Sequence, residues 1–562
     1  MEDSIKLSVT VRSALKKKYS AAALKKIDAA VATWIAAEKA RGITTVLVAL
    51  DSPSDMKAHV ATALAGTVTA VAAKRAIDAL AKKLSPDYIV LIGGDDVIPY
   101  FRLVNPIFDP GPDGDPDQVV LSDNPYASSR KYVAKSDKSY LVPDRVLGRL
   151  PDLPAENGKG EASVLIAALK SASAWKPQPR TFFKDIYATS TETWQGAGRA
   201  MMTFLGYPTS DLMVAPPVKD ATATARNRLA RAVHMTKCHG DDPDARFFGE
   251  SRGGDFPPVL FSPTLAKRLK PGALVAAVCC YGAGVFAPDN PLAKPRGSNA
   301  LPIPIVYLNA GALGFMGSTK IAYVGTRTPM CADIIVMSYL KKALDGASLG
   351  RALLEAKQDF MSALQRAGMT PDTADLKTML EFVLLGDPAV HPIASTVPSA
   401  ARSGRAAASR RATLRAERRV ARTVVAAEVE KALPTRSKAG PPPPKTAAAV
   451  FKAAAKLLES TEGLKVMDPS RATLDVVVAP SYRASAVRSA GRAVTRAANG
   501  GGVAESKEYT WFGRMPVKQA VRAGTRARAA GDQTAGPIAL VVLKVQTDAS
   551  GNVIRSRTLH GA

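Results

Sequence analysis

Cysteine is scarce in this chain, with four among 562 residues, at positions 238, 279, 280 and 331. So few thiols over such a length cannot form a disulfide framework. Long apolar runs are missing too. None reaches the roughly 18 residues of a membrane span, so no spanning helix is expected. The opening MEDSIKLSVTVRSALKKKY holds no apolar segment ahead of a cleavage-like site. A secretory signal is therefore not expected, and a reducing cytoplasm is the expected setting. Acidic residues are outnumbered, 49 Asp and Glu against 76 Lys and Arg, for a net charge of +27.

That charge is uneven. Residues 401–562 hold 29 basic and 11 acidic side chains, leaving about +9 for the first four hundred. A basic patch of this size can hold nucleic acid or an anionic membrane, but a solvated Arg/Ala-rich helix or tail is the expected reading. With 46% hydrophobic and 22% charged residues the composition is that of an ordinary globular protein. At this length two or more domains are expected.

The first four hundred residues alternate apolar strands with helical stretches. ITTVLVAL (43–50) and YIVLIGG (88–94) lack alternation and close on polar residues. Such strands are buried on both faces, as in a parallel sheet with helices above and below. Between them Ala58 to Leu84 reads as a helix broken near Gly66, completing a βαβ unit. Residues 105–123 are rich in Pro, Gly and Asp and form a loop. Further strands are expected at 185–189, 312–316 and 381–385, and helices at 160–176, 196–205, 329–344 and 348–366. Residues 398–436 are expected to be a frayed helix or disordered. Pro441 to Pro444 make a stiff spacer, and a small unit ends in a hairpin turning at Asp548 to Asn552. The expected units are 1–155, 156–395, a basic linker 396–446 and a basic α+β domain 447–562.

The stretch from Ala273 to Phe286, ALVAAVCCYGAGVF, carries the chemistry. An apolar strand stops abruptly at Cys279 and Cys280, followed by Tyr281 and Gly282. Upstream, His234 to Lys237 leads into Cys238, His239 and Gly240. In open α/β sheets functional groups gather outside the carboxyl ends of strands. These two ends would then meet as a Cys/His dyad. Pleat alternation sends Cys279 and Cys280 in opposite directions, so only one can face the crevice. The backbone N–H groups of Cys279 and Gly240 would form an oxyanion hole, and His239 would protonate the leaving amine. Burial in a core accounts for any one of these cysteines as well. A zinc site on Cys238, His239, Cys279 and Cys280 is the other alternative, though adjacent ligand pairs depart from the usual Cys-x-x-Cys spacing. No cofactor is called for.

The His-Gly end, the Cys-x-x-Gly end and the flanking Gly148-Arg149-Leu150-Pro151 and Leu385-Gly386-Asp387-Pro388 resemble the gingipain-type (C25-like) cysteine peptidases of the caspase-like clan. The resemblance spans roughly residues 40–395. It implies a three-layer α/β/α sandwich with a mostly parallel sheet, and it selects Cys279 over Cys280 as nucleophile, with His239 as its partner. Glu192 is the nearest equivalent of the family's His-orienting acid. Trp194, Ser318, Tyr323 and Asp185 are the candidate pocket residues. A protein or peptide substrate is implied, cleaved after Arg or Lys if the gingipain preference carries over. In that case the Arg-rich stretch 402–422 offers sites for self-processing. The competing expectation is a catalytically silent caspase-like scaffold that binds nucleic acid or a protein partner through the basic C-terminal region. That region could equally dock a regulatory partner of an active enzyme.

Overall fold

A computed structural model describes residues 4–59, 61–133, 140–154, 160–220, 222–287, 290, 300–394, 405–431, 433–458, 462–489, 492–514 and 540–561. The first strands are β1 (Ser4–Thr10), β2 (Ile43–Ala49) and β3 (Tyr88–Ile92), then a hairpin of β4 (Phe101–Val104) and β5 (Val119–Ser122). β6 (Leu147–Leu150), β7 (Ile186–Thr191), β8 (Leu212–Ala215) and β9 (Val233–Lys237) follow. A small antiparallel set comes next, β10 (His239–Gly240), β11 (Arg246–Phe248) and β12 (Pro258–Phe261). β13 (Leu274–Val278), β14 (Gly314–Ser318), β15 (Tyr323–Val324) and β16 (Phe382–Gly386) complete this part. Ten of these strands form one sheet in the order β2-β1-β3-β6-β16-β14-β13-β9-β7-β8. Its one antiparallel pairing among the described residues is β16 with β14: β2, β1, β3, β6 and β16 run one way, and β14, β13, β9, β7 and β8 the other.

Helices cover both faces of the sheet. Ala21–Ala40, Ser163–Ala174 and Ile303–Asn309 pack in a row, while Gln195–Leu205, Ala332–Leu344 and Leu349–Arg366 form another. This is the three-layer α/β/α sandwich of the caspase-like kind. The central strands are apolar because both faces are covered: every residue of β13 and β16 is buried.

The two flanking motifs are pins of this sandwich. Arg149, fully buried in β6, donates to both carboxylate oxygens of Asp123 and to the carbonyls of Gly93, Gly94 and Ile98. Asp387, just past β16, accepts from Lys6 Nζ at 2.8 Å and from the Trp34 indole at 2.9 Å. Removing one partner of such a buried pair leaves an uncompensated charge and costs about 3–5 kcal/mol. This explains how β1, whose sequence SIKLSVT escapes an apolar-run reading, sits deep in the sheet with Lys6 buried.

Two local expectations change. Of the Ala58–Leu84 stretch only Ala70–Leu84 is helical, and Ala58 ends a separate short helix, Pro53–Ala58. Gly66 lies between them at φ 68°, where a glycine avoids a Cβ clash. The Arg-rich segment forms an unbroken helix over Arg405–Lys431, and its stretch 395–404 lies outside the described residues. Among the described residues no helix is long and apolar enough to cross a membrane.

Downstream, β17 (Thr435–Lys438), β18 (Thr473–Ser489), β19 (Arg492–Arg514), β20 (Leu540–Asp548) and β21 (Val553–Gly561) build a second, antiparallel sheet. Its order is β15-β21-β20-β19-β18-β17, so β15 of the sandwich supplies its edge. Buried ion pairs join the two parts. Arg557 pairs with Asp372 and, at 2.9 Å, with Asp375, while Lys544 donates to Glu508 at 2.7 Å and to Thr373.

Candidate active site

β9 and β13 lie side by side in parallel register, from Leu274 opposite Val233 to Val278 opposite Lys237. One residue on, the Cys238 N–H still donates to the Val278 carbonyl at 3.2 Å. The His-Gly and Cys-x-x-Gly ends therefore share one edge of the sheet, as expected. They touch at Gly240. A Cβ there would stand 2.0 Å from the Cys280 carbonyl oxygen and 3.4 Å from Cys279 Cβ, so only glycine fits. Beyond the thiols Tyr281 takes φ 52°, a conformation that side chains rarely adopt, and the strand ends there. Its hydroxyl donates to Asp117 at 3.0 Å.

The side chains diverge where the backbones meet. The pleat puts Thr236, Cys238 and Cys279 on one face, and Cys279 Sγ lies 3.7 Å from Thr236 Oγ1. Lys237 and His239 take the other face, where Lys237 Nζ stands 5.2 Å over the Trp194 ring and the His239 ring 4.3 Å from it. Cys280 also leaves the Cys279 face, its sulfur 3.9 Å from the Ala322 carbonyl. The structure thus joins the two strand ends without joining the sulfur to the imidazole. Both groups are covered, Cys279 at 0% and His239 at 1% exposure. Burial pushes the Cys279 thiol well above its ordinary value, so the resting sulfur is protonated.

His239 has a carboxylate partner, and it is Glu250 rather than Glu192. Glu250 Oε2 lies 3.2 Å from Nε2 and also accepts from Thr193 Oγ1. Burial alone would raise the Glu250 carboxyl, but the His239 and Thr193 hydrogen bonds hold it below the usual range. Glu192 instead accepts from the Arg252 N–H at 3.2 Å and faces its guanidinium. The hairpin decides this: β10 pairs with β11, and the chain just past Phe248 folds back beside the ring. The other imidazole nitrogen, Nδ1, is buried without a hydrogen-bond partner among the described residues. A ring held at Nε2 and free at Nδ1 is oriented for proton transfer.

Three of the four pocket candidates are buried side chains at or near the carboxyl edge. Trp194 is fully buried against His239. The Ser318 hydroxyl lies within reach of the carbonyls of Cys279, at 3.1 Å, and Lys320, at 2.6 Å. The Tyr323 hydroxyl donates to Asp115 at 2.7 Å, beneath Lys377. Asp185 does not belong with them. It is exposed just before β7, at the amino end of that strand and so away from the site. Among the described residues no three His, Cys, Asp or Glu side chains converge to hold a metal ion. Cys331 is buried, 3.4 Å from the Arg557 guanidinium.

Residues 265–393 match the family model described as peptidase family C25. The C25 segment contains Cys279 and the Leu385–Pro388 motif and leaves His239 just outside it. The match is to a family of cysteine peptidases, which act on protein or peptide. No curated protein matches the chain. A solved structure described as "Structure of Protease" aligns over 99% of this chain and 97% of its own, at 13% identity and a TM-score of 0.44.

The Glu250 contact gives a testable difference between two carboxylates of the candidate site. Glu250→Gln is expected to lower peptide turnover roughly 10–100-fold, a fraction of the ~10²–10⁴ that positioned proton transfer supplies. Glu192→Gln is expected to stay within about threefold of the native rate, since it touches only Arg252. Steady-state kinetics on one peptide substrate reads both, and the reverse ranking would return the orienting role to Glu192.

Proposed function

We propose that the chain is a cysteine endopeptidase working through Cys279 and His239. The observation that carries this reading is an imidazole fixed by Glu250 at Nε2, with Nδ1 unpartnered, beside the strand end that bears Cys279. Substrate binding turns the Cys279 side chain off Thr236 and toward the crevice. Nδ1 takes the thiol proton, and the thiolate attacks the peptide carbonyl. The N–H groups of Gly240 and Cys279 donate to the oxyanion. His239 then passes the proton to the leaving amine, and water hydrolyses the acyl-enzyme.

A preference for Arg or Lys rests on the gingipain resemblance, with Asp242, two residues past Gly240, as the candidate carboxylate to receive the basic side chain. Self-processing within 402–422 is a weaker part of the reading. Most of that stretch is helical, and a protease needs it unwound.

Profiling the full chain against a positional-scanning peptide library, with a peptidyl acyloxymethyl ketone to mark the nucleophile, tests the proposal. Turnover with basic side chains preferred, and the label mapped to Cys279, are the expected results. No turnover of any peptide and no label would sink it. Unchanged intact mass after long incubation would remove self-processing alone.

One observation favours the silent-scaffold reading: the Cys279 thiol is buried, protonated and engaged with Thr236 rather than His239. The same label separates the two, since a silent scaffold leaves Cys279 unmodified. Salt-sensitive binding of DNA or RNA would then assign the basic region its electrostatic role.

A further inference from the structure

Beyond the reaction itself, β21 of the second sheet comes to the candidate site. It adds to the edge of β15, with His560 opposite Val324 and Gly561 opposite Tyr323. This sets the His560 ring 6.4 Å from Trp194, edge-on to the ring that also contacts His239. Glu250, His239 and Lys237 are the charged groups that face it. The chain's own strand thus lies over the His239 side of the site, where the imidazole is 1% exposed.

The attachment has the form of a latch. β21 pairs with β20 through seven residues, from Val541 opposite His560 to Thr547 opposite Val553, but with β15 through only two. Lifting β21 together with β20 and β19 breaks the two-residue ladder and leaves the long ladders within the second sheet intact. Of the groups that resist lifting, the one on β21 with two buried carboxylate partners is Arg557, three residues before His560. Its guanidinium is buried on Asp372 and Asp375, both part of the capping box that starts the helix Thr373–Glu381.

We propose that β21 is an autoinhibitory strap, fastened by Arg557, that holds the β15 edge and covers the His239 side of the site until it is lifted. The proposal rests on the peptidase reading for its consequence, lost activity, but not for its geometry. Any ligand or modification that pulls β21 off β15 therefore activates the enzyme.

Three full-length proteins test it: native, Arg557→Ala, and the double variant Val324→Cys/His560→Cys, whose opposed cysteines can be oxidised to fix the strap. Peptide turnover and hydrogen exchange of the Trp194 and His239 segments are read together, with oxidised native protein as control. Arg557→Ala is expected to turn over peptide at least tenfold faster, with faster exchange in both segments. The oxidised double variant is expected to be inactive and to recover on reduction. If Arg557→Ala does not fold, the oxidised and reduced double variant still decides. Equal turnover in all forms would overturn the strap and leave the peptidase standing. No turnover in any form, with exchange that still follows the state of the strap, would keep the strap and remove the peptidase. Exchange indifferent to both changes would overturn the strap.

Discussion

Cys279→Ala is expected to abolish peptide turnover, a loss of about 10⁴-fold or more, whereas Cys280→Ala keeps the rate within about threefold. The two thiols are neighbours in sequence and fully or nearly buried, so composition and exposure do not separate them. Their surroundings do. Cys279 Sγ lies by Thr236 Oγ1 at the strand end where Gly240 touches it. Cys280 Sγ points to the Ala322 carbonyl on the far face, among the groups around Lys377 and Glu381. Cys279 stands at the strand end against Gly240, the residue next to His239, and the proposed mechanism turns its side chain from Thr236 toward the crevice. Each replacement deletes one sulfur from a packed interior and costs on the order of 1 kcal/mol, too little to unfold a stable domain. Thermal melts of both variants control for that. If Cys280→Ala loses the activity and Cys279→Ala keeps it, the nucleophile is Cys280 and the Cys-x-x-Gly register does not decide the assignment.

Much of this arrangement is legible in the sequence because it is local. LVAAV and FVLLG are apolar without alternation, which only a strand covered on both faces tolerates. Their abrupt ends at Cys279 and Gly386 mark where the crevice begins. What escapes a sequence reading is pairing at a distance. β1 hides because Lys6 and Ser8 break its apolar character, and Lys6 is tolerated through two distant carboxylates, Glu38 and Asp387, the latter 381 residues away. Glu250 escapes for a related reason. The His-Gly strand and its return strand are short, and nothing in RFFGES says which carboxylate folds back on the ring. A hairpin count from His239 through the acidic loop 241–244 is the one signal that points to it, since Phe248 falls opposite His239. The contact of β21 with β15 is likewise invisible, because neither strand is marked as an edge until both are placed.

Gly240→Ala is expected to remove activity and stability together, and this separates a built site from two strand ends that merely lie near each other. The added methyl would stand 2.0 Å from the Cys280 carbonyl oxygen and 3.1 Å from its carbon, both backbone atoms that cannot rotate away. Relief requires β9 and β13 to part at their ends, where Cys238 N–H holds the Val278 carbonyl. Overpacking of this kind costs about 1–3 kcal/mol, toward the upper end here because the clash is backbone on side chain. Gly282→Ala is the matched control. Its nearest contacts are 3.1 Å to the Cys279 carbonyl oxygen and 3.3 Å to Ala277 Cβ, which small shifts absorb. Denaturant midpoints and turnover on one peptide measure the pair. Opening the two ends moves the Gly240 N–H away from Cys279, so the oxyanion donors no longer converge. A deficit of about 100-fold or more should then remain even where Gly240→Ala is still folded. A folded Gly240→Ala protein with native turnover would mean that the carbonyl carbon is attacked elsewhere. The meeting of the His-Gly and Cys-x-x-Gly ends would then be packing alone.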